Sequence, residues 1–104
     1  MLALPDPPTA IFACSDADAV GAYQVAYERD LRIPRDLSVV GFDDIPPASW
    51  LSPPLTTVRQ PLDDMAATAV NMVVALARGE RPAHNEVIFS AELVVRGSTA
   101  PLTR

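Results

Sequence analysis

The chain has few of the residues that build metal, disulfide or cofactor sites. Its 104 residues include one cysteine, Cys14, and one histidine, His84. A single thiol excludes an internal disulfide and a multi-cysteine metal site, and the sequence has no glycine-rich phosphate loop. Because no histidine or basic residue lies beside Cys14, we predict a buried and unreactive thiol. We expect no metal and no cofactor.

Basic charge and long apolar runs are also scarce. Thirteen acidic residues against eight basic ones give a net charge of −5, and no basic cluster occurs. Since acidic charge repels phosphates, we expect no direct contact with nucleic acid. No apolar run approaches the roughly 20 residues that span a bilayer, and residues 1–8 lack the basic and apolar regions of a signal peptide. The composition favours a cytoplasmic protein that does not bind membranes.

The pattern that remains indicates an α/β fold built around a parallel βαβ unit. Two apolar runs, residues 9–14 and 37–42, predict buried strands. Between them Ser15 opens a helix that we expect to run to about residue 30, because Ser15 and Asp18 have capping-box-like spacing. The eleven prolines of the chain fall between the periodic segments and separate them.

The second half of the chain predicts one long helix and short strands. The expected elements are a loop with one helical turn at 43–55, a β-like segment at 56–59, a helix at 62–78, and two short strands, or one bent strand, at 86–89 and 92–96. Pro61 starts the helix, Gly79 caps it, and the tail after Gly97 is expected to fray. The apolar stripe of the helix comprises Leu62, Met65, Ala69, Met72, Val73 and Leu76.

Three polar residues stand where the predicted parallel strands end. Ser15 follows the first strand, and Asp43 and Asp44 follow the second. Since ligands bind outside the carboxyl ends of parallel strands, these groups are candidates to hold the hydroxyls of a polyol or ribose. The alternative is local, because aspartates after a strand stabilise turns and serine caps helices.

Two further interpretations concern catalysis and association. An enzyme using Asp43 and Asp44 as a carboxylate pair would need a third group, and none accompanies them at suitable spacing, so we predict no catalytic activity. Trp50 and Leu51 are the apolar pair of the proline-rich loop. They either anchor the loop to its own core or form a subunit contact, since loop aromatics are enriched at interfaces.

Two strings carry a family resemblance. They are RIPRDLSVVGFDDI at residues 32–45 and PPLTTVRQP at residues 53–61. Together with PTAIFACSD at residues 8–16 and ELVVR at residues 92–96, they resemble the C-terminal portion of LacI/GalR-family transcriptional regulators. The resemblance extends over almost the whole chain.

The resemblance implies a regulator with a DNA-binding headpiece and an effector-binding core. The core has the periplasmic-binding-protein-like type I fold, in which sugars or nucleoside-like effectors bind between two α/β subdomains of a homodimer. This chain would be a C-terminal fragment of that effector-binding and dimerisation domain, and operator DNA would be bound through a headpiece absent from it. Residues 1–59 would belong to the C-terminal subdomain, and residues 60–104 would cross to the other subdomain and back.

The same resemblance implies roles for individual residues. Asp43 occupies the position of a carboxylate that contacts effector hydroxyls, and Gln60 lies at the crossover beside the cleft. Ser15 stands where the family commonly has a ligand-contacting asparagine, and this departure weakens its role as a ligand contact. The dimer surface would include Ala19, Tyr23, Trp50 and Leu51.

We therefore predict a ligand-responsive transcription regulator of repressor type, in which effector binding shifts the subdomain arrangement. A sugar-binding protein of a transport system with the same fold is the alternative. Because one wall of the cleft is missing, this chain is expected to bind effector weakly or not at all. The apolar helix at 62–78 has lost its usual partner, and it would fold back on the βαβ unit or pair with a second copy.

Overall fold

Strands and helices alternate along the chain. The structure is a computed structural model that describes residues 2–81 and 86–102, so His84 lies outside it. The described elements are, in order, β1 (Ala10–Phe12), α1 (Asp16–Glu28), β2 (Ser38–Val40), a 3₁₀ turn (Pro46–Trp50), β3 (Thr57–Arg59), α2 (Leu62–Ala77) and β4 (Glu92–Val94). The predicted α/β class is confirmed, with strands shorter than the apolar runs that contain them.

The strands form a parallel pair and an antiparallel pair that are joined by hydrogen bonds. β1 and β2 are parallel, with Ala10 beside Ser38. The segment after β2 runs parallel to β3, since the Gly41 N–H donates to the Thr56 carbonyl at 2.9 Å. β3 and β4 are antiparallel. The predicted βαβ unit is therefore present, and β3 and β4 extend it at one side.

Helix α1 forms where a cap and a row of small residues coincide. Ser15 has extended backbone angles, and its Oγ accepts the Asp18 N–H at 3.1 Å, which satisfies one of the free donors of the first turn. Ala19 and Ala26 are two helical turns apart and both are fully buried. They face the core, whose buried apolar members are Ala13, Ala19, Ala26, Leu37, Val39, Ala48 and Leu55.

The prediction that residues 9–14 form a buried strand is wrong in part. Phe12 is 67% exposed and Ala10 is also exposed. Among the described residues β1 has one neighbouring strand, β2, so it forms a sheet edge and part of its surface stays in solvent. Cys14, predicted to be buried, is exposed as well and lines an apolar groove of about 480 Å³ between β1 and α1.

Ser98, the first residue of the tail after Gly97, is packed into unit 1, contrary to the prediction that this tail frays. Ser98 is fully buried, and its Oγ accepts the Thr56 N–H at 2.8 Å and donates to the Val39 carbonyl at 2.5 Å. The Ser98 carbonyl accepts the Val39 N–H at 3.0 Å. One serine therefore joins two segments of the sheet, and the start of the tail belongs to the packed part of unit 1.

The chain divides into two compact units. Unit 1 comprises residues 1–59 and 92–104, and unit 2 comprises residues 60–91. α2 lies in unit 2, begins after Pro61 and buries none of its side chains. It ends as predicted at Gly79, where φ is +76° and the Glu80 N–H donates to the Ala75 carbonyl at 2.9 Å, as in a Schellman motif.

The predicted strand at residues 86–89 is absent. These residues have no ladder partner within 2–81 and 86–102, and a strand requires a neighbour to accept and donate its hydrogen bonds. The second predicted strand is present as β4, because β3 supplies that neighbour.

Candidate functional site

Ser15 and Asp43 lie at the same edge of the sheet. The Ala13 N–H donates to the Val40 carbonyl at 2.8 Å, and the Asp16 N–H donates to the Phe42 carbonyl at 2.9 Å, so the parallel pairing continues past β1 and β2. The register of β1 and β2 holds through Phe12 beside Val40 and shifts by one residue at the Asp16–Phe42 bond, so Ser15 and Asp43 share this end of the strands. This is the carboxyl edge of the parallel strands, where α/β folds bind ligands.

The backbone at Asp43 and Asp44 turns sharply as the strand ends. Their φ angles are +117° and +58°, a region that aspartate enters more readily than most residues other than glycine. The Asp43 N–H donates to the Val58 carbonyl at 2.9 Å, which fixes the start of the turn against β3. Asp43 itself is half-buried at the edge. The turn-forming role weighed from the sequence is therefore real at both positions.

Asp44 lies between two arginines. Arg59 Nε contacts Asp44 Oδ2 at 2.7 Å, and Arg96 Nη2 contacts Asp44 Oδ1 at 2.8 Å, with the carboxylate nine-tenths buried. Burial raises the pKa of Asp44, but the hydrogen bonds and positive charges of Arg59 and Arg96 outweigh it and hold that pKa below its ordinary value. The Asp44 carboxylate joins the turn to β3 and to the segment after β4.

Asp16, in the first turn of α1, is a second buried carboxylate. It is 1% exposed, its Oδ1 accepts the Thr57 hydroxyl at 2.6 Å, and its Oδ2 accepts the Ile45 N–H at 2.9 Å. A Cβ at Gly41 would overlap the Asp16 carboxylate. That glycine within an apolar strand run was the available signal, since it marks the close approach of another group.

Ser15 and Gln60, the other two predicted ligand contacts, lie in different units of the chain. Ser15 is half-buried and its Oγ serves the helix cap, so its cap role has direct geometric support. Gln60 belongs to unit 2, where its carbonyl accepts the Leu62 N–H at 2.9 Å. It lines an open hollow of about 400 Å³ together with Pro61, Leu62, Asp63 and Asp64.

The four predicted dimer residues differ in exposure. Ala19 is fully buried in the core of unit 1, so a partner cannot reach its side chain and we remove it from the proposed surface. The Tyr23 hydroxyl donates to the Pro53 carbonyl at 2.7 Å, and burial raises the pKa of Tyr23. Trp50 is 75% exposed, whereas Leu51 packs partly against the core.

Neither a metal site nor a membrane span is evident in the described part of the chain. Within residues 2–81 and 86–102, no group of three histidine, cysteine or acidic side chains is arranged to hold a metal ion. Over the same residues, no helix has the length and apolar character needed to cross a bilayer.

Comparison with known proteins reveals clear relatives. A family model described as a periplasmic binding protein-like domain matches residues 1–99. The HTH-type transcriptional regulator MalR of Streptomyces coelicolor is 47% identical over 92 residues, which are 88% of this chain and 27% of MalR.

Solved structures show the same similarity. The lac repressor dimer bound to operator and the anti-inducer ONPF is 34% identical with a TM-score of 0.81, covering 90% of this chain and 32% of that one. The complex of the transcriptional regulator CelR with cellobiose is 33% identical with a TM-score of 0.81, covering 86% of this chain and 28% of that one. This chain spans less than a third of the length of each of these relatives.

Proposed function

Because the chain belongs to the periplasmic binding protein-like domain family, in the effector-binding region of LacI/GalR-type regulators, we propose that it forms part of the effector-binding and dimerisation core of a ligand-responsive transcription regulator. We assign residues 1–59 to the C-terminal subdomain and residues 60–104 to the segment that crosses to the other subdomain and returns. The whole regulator would bind operator DNA through a headpiece and act in the cytoplasm, where that DNA is.

The observation that carries the proposal is the placement of Asp43 at the carboxyl edge of the sheet. A carboxylate can accept hydrogen bonds from two neighbouring hydroxyls at once, which suits a sugar or the ribose of a nucleoside. The relative CelR was solved with cellobiose, a sugar. We therefore propose Asp43 as the main effector contact, with Ser15 beside it and Gln60 as a further contact.

The mechanism proposed for the intact regulator is a shift between two arrangements of its core. An effector that binds one arrangement more tightly raises its population, and a dimer passes that change to its DNA-binding parts. We propose that Tyr23, Trp50 and Leu51 contribute to the subunit contact of that homodimer. Trp50 supports this role because it is a large and exposed aromatic side chain.

We propose no catalysis and no transport function. The Asp44 carboxylate is engaged by Arg59 and Arg96, which favours a structural role over general acid–base work. MalR, the lac repressor and CelR are regulators or repressors by name, and no observation favours a transport protein.

The proposal is tested by titrating the ¹⁵N-labelled chain with disaccharides, monosaccharides and nucleosides and recording amide shifts by NMR. Because the chain holds one wall of the proposed site, we expect weak binding, with dissociation constants at or above about 1 mM. Shifts should centre on Asp43 and Ser15 for at least one ligand. The Asp43→Asn variant, which keeps the side-chain shape, should lose them.

Asp6→Asn is the matched control, because Asp6 is an exposed aspartate outside the edge. It should leave the titration unchanged. Absence of shifts at the sheet edge with every ligand at roughly 50 mM, or equal shifts in the Asp43→Asn chain, would contradict the proposal.

A further inference from the structure

Arg96 joins the turn at Asp44 to two further positions in unit 1. Its Nη2 contacts Asp44 Oδ1 at 2.8 Å, and its Nη1 donates to the Leu55 carbonyl at 2.9 Å. The backbone N–H of Arg96 donates to Thr56 Oγ1 at 2.9 Å, so its backbone and its side chain are both held. The Arg96 side chain is 18% exposed. Its guanidinium therefore has a fixed place from which it binds the Asp44 carboxylate.

Arg59 holds the same carboxylate less firmly. Its Nε contacts Asp44 Oδ2 at 2.7 Å, but its side chain is 50% exposed, and its Nη1 also lies 3.8 Å from Glu92 Oε2. Exposed ion pairs contribute little because solvent screens them, whereas a shielded charge that loses its partner is left uncompensated. Of the two arginines, Arg96 is therefore the main anchor of Asp44.

The Asp44 contacts restrain the turn that carries Asp43. The two residues are adjacent, and both have positive φ. The Asp43 N–H is bonded to the Val58 carbonyl at 2.9 Å, and the Asp44 side chain adds two ion pairs one residue further on. A binding group works well when it is held within about 0.5 Å and about 10–20° of the productive geometry. The Asp44 pairs supply restraint of this kind to the Asp43 carboxylate.

We propose that Asp44 is a positioning residue for effector binding, which holds the Asp43 carboxylate in its binding orientation through Arg96 and, to a smaller extent, Arg59. This inference rests on the proposed role of Asp43 as the main effector contact. Asp44 acts through its neighbour and not by its own contact with effector, because each of its carboxylate oxygens is already paired with an arginine. Loss of the Asp44 charge therefore weakens binding even though Asp43 itself is unchanged.

The test titrates the ¹⁵N-labelled parent and Asp44→Asn chains by NMR, with cellobiose, glucose and uridine as the probes. Asparagine keeps the side-chain shape and tolerates the positive φ of residue 44, so the variant should stay folded, which the dispersion of its amide signals verifies. For the probe that shifts the Asp43 amide most in the parent chain, we expect the dissociation constant to rise by about threefold or more in Asp44→Asn.

Variants of the two arginines test whether the effect passes through these pairs. Arg96→Gln should raise the dissociation constant more than Arg59→Gln does. Arg96→Lys should rescue part of the loss, because lysine keeps the charge without the planar guanidinium. The double variant Asp44→Asn/Arg96→Gln should bind no more weakly than Asp44→Asn alone, since both changes remove the same pair. Additive losses in the double variant would overturn the proposal.

Ala26→Gly is the control for lost stability. Ala26 is fully buried near the end of α1 that lies away from Ser15, and glycine within a helix is destabilising. This chain should keep the affinity of the parent. Equal affinity of the parent and Asp44→Asn chains, or equal weakening by Ala26→Gly, would overturn the positioning role and leave the proposed function standing. Absence of shifts at Asp43 with all three probes would remove the proposed function and the positioning role together.

Discussion

Two buried carboxylates hold the turn that contains Asp43. On one side of the turn, the Asp16 carboxylate accepts the Ile45 N–H. On the other side, the Asp44 carboxylate forms ion pairs with Arg59 and Arg96. Burying a charged group costs free energy unless its hydrogen bonds are satisfied, and both oxygens of each carboxylate have partners here. Asp43 is therefore presented by a turn whose neighbouring residues are fixed.

Asp44 makes the stability of the fold depend on acid pH. Its native pKa lies below the ordinary value of 3.8, so the unfolded chain takes up a proton at higher pH than the folded chain does. The contribution of Asp44 is thus complete at neutral pH and is lost as the pH falls through 3.8 and below. Urea unfolding at a series of pH values from 7 to about 2.5 measures this loss.

Asp44→Asn should lower the stability at pH 7 and flatten its decline in acid, since asparagine tolerates the positive φ but carries no charge. The exposed control Asp6→Asn should keep the decline of the parent chain. An Asp44→Asn chain whose stability falls as steeply in acid as that of the parent would show that the arginine contacts do not lower this pKa.

At the scale of elements, the helices and the parallel strand pair could be predicted from the sequence, because local residue patterns determine them. Periodicity and capping identified both helices, and the apolar runs identified the parallel pair, whose carboxyl ends carry Ser15 and Asp43 at one edge of the sheet. The Schellman end of α2 followed from one glycine, Gly79. These features depend on residues that are close together in the chain.

What the sequence could not show depends on residues far apart in the chain. Ser98 bonds to Val39 and Thr56, and Asp16 bonds to Thr57, at separations of 59, 42 and 41 residues. The local sequence of a polar tail is the same whether or not the tail has distant partners. The same holds for an aspartate at the start of a helix. The arginine pair of Asp44 was missed for the same reason, since one arginine lies in β3 and the other beyond β4.

Two glycines test how closely the elements of unit 1 pack. A Cβ at Gly41 would meet the Asp16 carboxylate and would come within 2.8 Å of Leu55 Cδ2, both in the interior. Gly41→Ala should therefore destabilise the fold by about 2 kcal/mol or more. Gly21 is a helical glycine with nothing within 4 Å of the added Cβ, so Gly21→Ala should stabilise α1 by roughly 0.5–1 kcal/mol.

Thermal or urea unfolding of the two alanine variants and the parent chain measures both expected changes in stability, the decrease for Gly41→Ala and the increase for Gly21→Ala. A Gly41→Ala chain as stable as the parent would show that the Asp16 carboxylate can move without cost. A destabilising Gly21→Ala change would point to an unrecognised contact on the outer side of α1.

At the scale of the molecule, unit 2 is an insertion into unit 1. Arg59 and Glu92 are ladder partners in the β3–β4 pair, so the chain leaves unit 1 and returns to it at neighbouring positions. Among the described residues, no ladder or bridge partner of the unit 1 strands lies within 60–91, the segment that includes α2.

Replacing residues 60–91 with Asn-Gly should give a folded unit 1, because that dipeptide closes a two-residue hairpin and Arg59 and Glu92 are already paired. Dispersed amide signals in the NMR spectrum and a cooperative thermal transition would show it. A second version that also carries Ser98→Ala should be less stable by about 1–3 kcal/mol, since it leaves buried backbone groups without partners. A collapsed, undispersed spectrum for the first version would mean that unit 1 needs residues 60–91 to fold.

The late position of Ser98 in the chain also affects folding during translation. A ribosome adds β1, β2, β3 and α2 to the chain before it adds Ser98, so the Thr56 N–H and the Val39 carbonyl cannot bond to Ser98 until translation has reached residue 98. Unit 1 therefore cannot close cotranslationally in N-terminal order, as contiguous units do. A chain that ends before Ser98 leaves the Thr56 N–H and the Val39 carbonyl without this partner, and open sheet edges of that kind are targets for chaperones and proteases.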